Sequence, residues 1–152
     1  MIEISIDAST SKCGIAIFEH GELSSYQTAE FEGTWSQQKL LKIIEYFDDL
    51  FTTFHPSKVF IEEPLVFAKQ SRSVAMLNQV GGAIFAVAQY ACPVVFFHGQ
   101  KVKKILSFKT KEESIKIAQK MNKCSGINEH EADAMNLYNA YMLRIENEEN
   151  EN

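Results

Sequence analysis

The sequence predicts an α/β protein: a mixed five-stranded sheet flanked by helices. Three observations carry that expectation. The opening "MIEISIDAS" alternates Ile2, Ile4 and Ile6 with Glu3, Ser5 and Asp7, which is the two-residue period of a strand with one apolar face. Two further strand-like segments follow at hairpin spacing, and beyond them helical and strand patterns alternate. Near the end, "NEHEADAMNLYNAYM" sets an apolar helix behind a first turn crowded with Glu129, His130, Glu131 and Asp133.

After the first strand, which Asp7 ends, "KCGIAIFE" reads as a second strand, "HGE" as a turn through Gly21, and "LSSYQTAEF" as a third strand closing an antiparallel meander. Leu40, Leu41, Ile44, Phe47, Leu50, Phe51 and Phe54 recur at helical spacing between 36 and 54, and His55-Pro56 stops the run. "KVFIEEP" is a short buried strand ended by Pro64. Residues 71 to 91 predict a long apolar helix. Its Gly81-Gly82 pair costs roughly 1 kcal/mol per glycine relative to Ala, so close packing against another backbone is the expected motive. Pro93 opens the strand "PVVFFH", Lys-rich helices cover about 99 to 122, and the helix from Glu129 completes the order.

The length of 152 residues suits one domain, expected over 1–145, with an acidic, disordered tail over 146–152. No run of 18 apolar residues suggests a membrane span, and no basic region precedes an apolar stretch at the N-terminus. Cys13, Cys92 and Cys124 are widely spaced and form no C-x-x-C pair, as buried free thiols would be. A cytoplasmic protein without a membrane partner is therefore expected. The net charge of -5 is unevenly spread: "ENEENEN" at 146–152 holds four Glu, whereas residues 101–123 hold eight Lys against two Glu. That local excess predicts a phosphate-binding surface on a nominally acidic chain.

Helical geometry divides the acids of the last helix. At about 100° per residue, Ala134, Leu137, Tyr138, Tyr141 and Ile145 share one wedge, which must be its buried face. His130 projects near the middle of that wedge and Asp133 at its margin, while Glu129 and Glu131 lie outward on either side. Asn128 as N-cap and Glu131 at the reciprocal position make a capping box, and first-turn carboxylates favour the helix dipole. Capping does not explain His130 and Asp133. An inward carboxylate needs compensation, and the candidates nearby are more acids: Asp7 at the carboxyl end of the first strand, and Glu62 or Glu63 at the end of "VFIEEP". A shared divalent cation would reconcile them, because carboxylates and imidazole are suitable ligands for Mg²⁺ or Mn²⁺. Neighbouring strands lie about 4.8 Å apart, so two strand-borne carboxylates can bracket a metal. Two such ions about 4 Å apart activate water and stabilise the leaving oxygen in phosphodiester hydrolysis.

Taken in order, "IDASTSKCGIAI", "VFIEEPLVFAKQ", "LNQVGGAIFAVA", "QKVKKIL" and "EHEADAMNL" resemble the RuvC family of Holliday junction resolvases, over nearly the whole chain from Ile2 to about Tyr141. The resemblance implies an RNase H-like fold, a homodimer, and cleavage of four-way or branched DNA by symmetric, divalent-metal-dependent nicking, with Mg²⁺ as the expected cofactor, Mn²⁺ as its substitute and two ions per site. It implies that Asp7, Glu62 and Asp133 are catalytic metal ligands, with His130 as the fourth catalytic residue and metal ligand. His130 stands where the family most often has an acid, although some members also place His there. A neutral imidazole would lower the charge of the site and could position or deprotonate the attacking water. The resemblance further implies an aromatic that stacks into the opened junction, for which Phe67 is the first candidate and Leu65 the second, beside Lys69 and Arg72. Lys103 and Lys104 match its basic position, with Lys101, Lys109 and Lys111 as additional phosphate contacts.

Three alternatives remain at the level of sequence. One is an RNase H-like nuclease acting on RNA or flaps, and another is a non-catalytic junction-binding module. The "DASTS" turn also resembles the phosphate loop of actin-like ATPases and sugar kinases, but those bind nucleotide between two lobes and this length supplies one.

Overall fold

The computed structural model describes residues 1–63 and 72–150. Three strands, β1 (Ile2–Asp7), β2 (Lys12–Glu19) and β3 (Glu22–Glu30), lead into helix α1 (Gln37–Phe54), strand β4 (Lys58–Glu62), helix α2 (Arg72–Ala88) and strand β5 (Val94–Phe97). Helices α3 (Gly99–Leu106), α4 (Lys111–Asn122) and α5 (Glu129–Asn150) follow. The sheet order is β3-β2-β1-β4-β5. The first three strands pair antiparallel, and β4 adds parallel to β1 and β5 parallel to β4. The sheet is therefore mixed and five-stranded, as the alternation of patterns predicts.

Local chemistry sets the element ends. His20 and Gly21 both take positive φ, 52° and 85°, which fits the twist of a two-residue hairpin between Glu19 and Glu22. Ser36 caps α1 by accepting from Lys39 N at 3.1 Å. His55 ends that helix in the left-handed region at φ 46°, one residue before Pro56. Asn128 and Glu131 form the expected reciprocal cap on α5: Glu131 N donates to Asn128 Oδ1 and Asn128 N donates to Glu131 Oε2, both at 3.0 Å.

Two cores lie on opposite faces of the sheet. Ile4, Ile6, Ile15, Ile17, Val59 and Ile61 pack with Ile43, Phe47, Val80 and Ile84 of α1 and α2. Ala16, Phe18 and Phe60 face the other way, against Val102, Leu106, Ala118, Met135, Leu137 and Tyr138 of α3, α4 and α5. This corrects the expectation that β1 has a single apolar face, because Glu3 and Ser5 are buried as well. A central strand covered on both sides has no solvent face to give its polar residues. Glu3 is accommodated by Tyr138, whose hydroxyl donates to its carboxylate at 2.8 Å, and Tyr138 stacks on Phe18 with ring centroids 3.7 Å apart.

The buried wedge on α5 is likewise too narrow as read from the sequence. Every residue from Ala134 to Ala140 is buried, because α5 lies between the sheet and the α3 and α4 layer. The helix also runs to Asn150, so residues 146–150 are exposed helix where the sequence predicts a disordered tail. Gly81 is buried, but Gly82 faces open space within the chain, so packing against another backbone does not explain that glycine here. Among the described residues no helix is long and apolar enough to cross a membrane.

Tyr138→Phe would leave the buried Glu3 carboxylate without its hydroxyl donor, at an expected cost of about 1–3 kcal/mol. Denaturant melts of the two proteins measure the difference.

Candidate active site

The sheet register places the first two acids. Ile6 pairs with Ile61 in the parallel β1 and β4 ladder, so Asp7 and Glu62 occupy the next, adjacent rungs at the carboxyl ends of neighbouring strands. Ile6 and Ile61 both point into the α1 and α2 core. By alternation, Asp7 and Glu62 point to the opposite face, where α3 and α5 lie. Glu63, turned the other way, is exposed, and its backbone N donates to Phe97 O at 3.1 Å. Glu62 lies over Gly99, the first residue of α3, so closely that a Cβ there would stand 2.0 Å from its Oε1.

Helix α5 brings the remaining pair. Gly14 is the cross-strand partner of Asp7, and a Cβ on it would stand 1.9 Å from the carbonyl oxygen of His130. Only a residue without a side chain lets the first turn of α5 lie flush on β2 at this rung. The approach is pinned from β3, where Thr28 Oγ1 accepts from Asn128 Nδ2 at 2.8 Å and donates to Glu131 Oε1 at 3.4 Å. His130 then reaches Asp7, with Nδ1 and Oδ2 3.3 Å apart, and its Nε2 lies 3.8 Å from Glu129 Oε1. Asp133, one turn on, is exposed at the rim of a cavity of about 150 Å³ lined by Glu62, Gly99, Lys103, Phe108, Asp133 and Asn136, among others. Local sequence pattern does not single out Gly14, Gly99 or Asn136 as site residues. A lone glycine inside the strand "KCGIAI" was the available sign, since such a residue marks close backbone approach.

Crowding the acids together has an electrostatic consequence. Burial, and then the charges of Asp7 and Asp133, pushes the Glu62 carboxyl up to about 7 against the opposing pull of Lys103. Asp133 is raised to about 6 by loss of solvent on its inner side and by Asp7, with the Ser114 hydroxyl and His130 opposing. Burial raises Asp7 too, although its hydrogen bond to His130 works the other way. That same bond holds His130 above its ordinary range. Three carboxyls that resist ionisation together suit a hard cation, which relieves their mutual repulsion. The ligand cluster is not closed, however. Among the described residues no three His, Cys, Asp or Glu side chains converge as a metal site: His130 is bonded to Asp7, and Glu62 lies over Gly99.

The lysines predicted to contact phosphate divide between two surroundings. Lys103 lines the acidic cavity, whereas Lys101 and Lys104 line a separate recess with His98 and Gln100. Lys109 is exposed in the α3 to α4 connection, where its backbone N donates to Glu113 Oε2 at 2.7 Å. Lys111 is paired with Glu129, which in turn stands beside His130. Arg72 is exposed at the start of α2. Leu65, Phe67 and Lys69 lie outside the described residues.

Two outcomes test this geometry. Gly14→Ala must displace the α5 turn, and a shift of about 1 Å at the reacting groups costs about 10²-fold in rate; single-turnover cleavage measures the loss and a crystal structure the shift. The acids and His130 all keep their protons to higher pH in the folded chain than in the unfolded one, so their contribution to stability is present at low pH and lost as pH rises through their folded values. The melting temperature of the chelated protein should therefore fall between about pH 4, where the unfolded carboxyls lose their protons, and about pH 7, where the folded ones do, and Mg²⁺ should raise it more at the upper end, as calorimetry can record.

The fold, with these side chains in place, can be set beside known proteins. It is similar to Thermus thermophilus RuvC in complex with a Holliday junction substrate, at 19% identity and a TM-score of 0.80, over 96% of this chain and 95% of that one. The Thermus thermophilus RuvC structure gives 19% identity and 0.77, over 96% of each chain. The yeast mitochondrial Holliday junction resolvase Ydc2 gives 11% identity and 0.66, over 93% of this chain and 77% of that one. These likenesses establish the RNase H-like fold expected from the ordered motifs. No curated protein sequence matches the chain. The family model described as crossover junction endodeoxyribonuclease RuvC, however, matches residues 4–142, a span that takes in both strand-end acids and the first turns of α5. By that match the chain belongs to the RuvC family of nucleases.

Proposed function

We propose that this protein resolves Holliday junctions and related branched DNA by divalent-metal-dependent hydrolysis of phosphodiester bonds. The observation that carries the reading is the placement, in a RuvC-family chain, of Asp7 and Glu62 on adjacent strand ends, Asp7 paired with His130 and Glu62 sharing a cavity with Asp133. Asp7, Glu62 and Asp133 would hold the metal, Mg²⁺ or Mn²⁺, as two ions per site. When bound, such ions activate water and stabilise the charge on the leaving oxygen.

The other groups have roles that follow from their surroundings. His130 is oriented by its hydrogen bond to Asp7, with Glu129 3.8 Å from its other ring nitrogen, and places its imidazole at the edge of the acid cluster. Lys103 lines the same cavity as Asp133, where an ammonium both offsets the charge of Glu62 and meets a DNA phosphate. Lys101, Lys104, Lys109 and Lys111 extend that positive surface along α3 and into α4, so binding is expected to weaken with salt. Two nicks on equivalent strands require two identical sites at fixed separation, which a homodimer supplies. The α2 face around Gly82, open within the chain, is the surface assigned to that contact. We place the activity in the cytoplasm.

Incubating the protein with a four-way junction, a linear duplex and a structured RNA, each with Mg²⁺ and with chelator, tests the reading. Paired nicks in the junction alone, dependent on metal, are expected. Preferential RNA cleavage overturns the substrate class, and junction binding without product overturns the enzyme. Asp7→Asn and Asp133→Asn should each lower nicking about 10²–10³-fold by weakening the hold on the ions that stabilise the leaving oxygen, while junction binding in gel-shift assays stays near the parent's.

A further inference from the structure

Behind Asp133 lies a buried polar chain that the reaction as described does not use. Ser114 of α4 is 3% exposed and Asn136 of α5 is fully buried. Asn136 Nδ2 donates to both the backbone carbonyl and the hydroxyl of Ser114, at 2.9 Å each. The Ser114 hydroxyl in turn donates to Asp133 Oδ1 at 3.2 Å.

Hydrogen-bond inventory fixes the direction of this chain. A backbone carbonyl only accepts, so the Asn136 amide must turn its nitrogen, not its oxygen, toward Ser114. With that nitrogen also facing the hydroxyl, Ser114 Oγ is an acceptor from Asn136 and its one proton is left for Asp133. Asp133 Oδ1 must then be an acceptor, which makes the carboxylate asymmetric: Oδ1 is tied to α4 and Oδ2 is the freer oxygen. The same orientation leaves the Asn136 amide oxygen buried without a hydrogen-bond partner among the described residues, in a residue that lines the cavity with Glu62, Lys103 and Asp133. An unmatched buried acceptor at a polar cavity wall is costly unless water or a ligand reaches it.

We infer that Ser114 and Asn136 are positioning residues for the metal site: Asn136 sets the direction of the Ser114 hydroxyl, and the hydroxyl holds the Asp133 carboxylate in one rotamer. Outer-shell partners of this kind orient a ligand before the ion arrives. The inference rests on Asp133 being a metal ligand, as proposed above.

Mn²⁺ affinity, measured by titration calorimetry on the full chain without DNA, tests it independently of turnover. Ser114→Ala should raise the Mn²⁺ Kd about 10-fold or more, Ser114→Thr should restore it toward the parent value, and junction affinity in chelator should stay unchanged. Asn136→Ala should give a similar loss, and the double variant no more than the larger single effect, because the two act as one chain. Parent affinity in Ser114→Ala overturns the inference, and so do additive losses in the double variant. Asn136 is buried and its replacement can impair folding, so the Ala and Thr pair at 114 decides alone if Asn136→Ala does not fold. Asp133→Asn separates the two levels of argument. Its loss of Mn²⁺ binding beside an unaffected Ser114→Ala refutes the positioning chain only, whereas retained binding in Asp133→Asn removes Asp133 from the site and the inference with it.

Discussion

The site depends on one close approach: the backbone of α5 at His130 lies against the sheet at Gly14, on the rung that Asp7 shares. At that position the sheet offers no side chain, and the helix can settle to backbone contact. His130 is delivered to Asp7 as a consequence, and Asp133, one turn later, to the cavity that Glu62 also lines. The approach has its own supports. Thr28, Asn128 and Glu131 tie the helix start to β3, and the cap formed by Asn128 and Glu131 fixes where the helix begins. Glu131 thus serves both as a capping residue and as a tether, which accounts for an acid at the head of an apolar helix without giving it a chemical role.

The electrostatic cost of the arrangement is borne by a scaffold that is rigid on both sides. Two apolar cores clamp the sheet, and the strand carrying Asp7 is central and buried on both faces. Strand ends so held keep their carboxyls away from solvent and cannot relax apart, so burial first and mutual repulsion second make Glu62 and Asp133 hold their protons more tightly. The same clamp explains why Glu3 and Ser5, on the face that Asp7 shares, lie in the interior. Glu3 is partnered by Tyr138, and Tyr138 is itself anchored by its stack on Phe18. Stability in this half of the molecule and placement of the acids are therefore two results of one helix packed on one sheet.

Positive charge is distributed around this acidic centre and does not cancel it. Lys103 is the lysine that lines the acidic cavity among the described residues, and it pulls against the rise in Glu62. Lys111 is engaged by Glu129, whose other oxygen faces His130, so one of the predicted phosphate contacts is linked through an ion pair to the imidazole. A chain with a net charge of -5 can present such a surface because four of its acids lie in the last seven residues. Net charge alone would have pointed away from DNA.

By itself the sequence determined the elements and their order, and it singled out the candidate acids. Alternation in β1, the helical recurrence from Leu40 to Phe54 and the cap at Asn128 are local patterns, and local patterns need only neighbouring residues to be read. It also contained the ordered motifs that mark the family. Only the tertiary structure decided which face of β1 is solvated, since the answer is neither, and how much of α5 is buried, since helices on its outer side cover what a one-sided helix would expose. Only packing could show that Gly14 and Gly99 make room for particular groups, or that Ser114 and Asn136, 22 residues apart, meet behind Asp133. The reason is physical: a hydrogen bond or a close approach between distant segments depends on where the chain has been brought, and no period in the sequence encodes that distance.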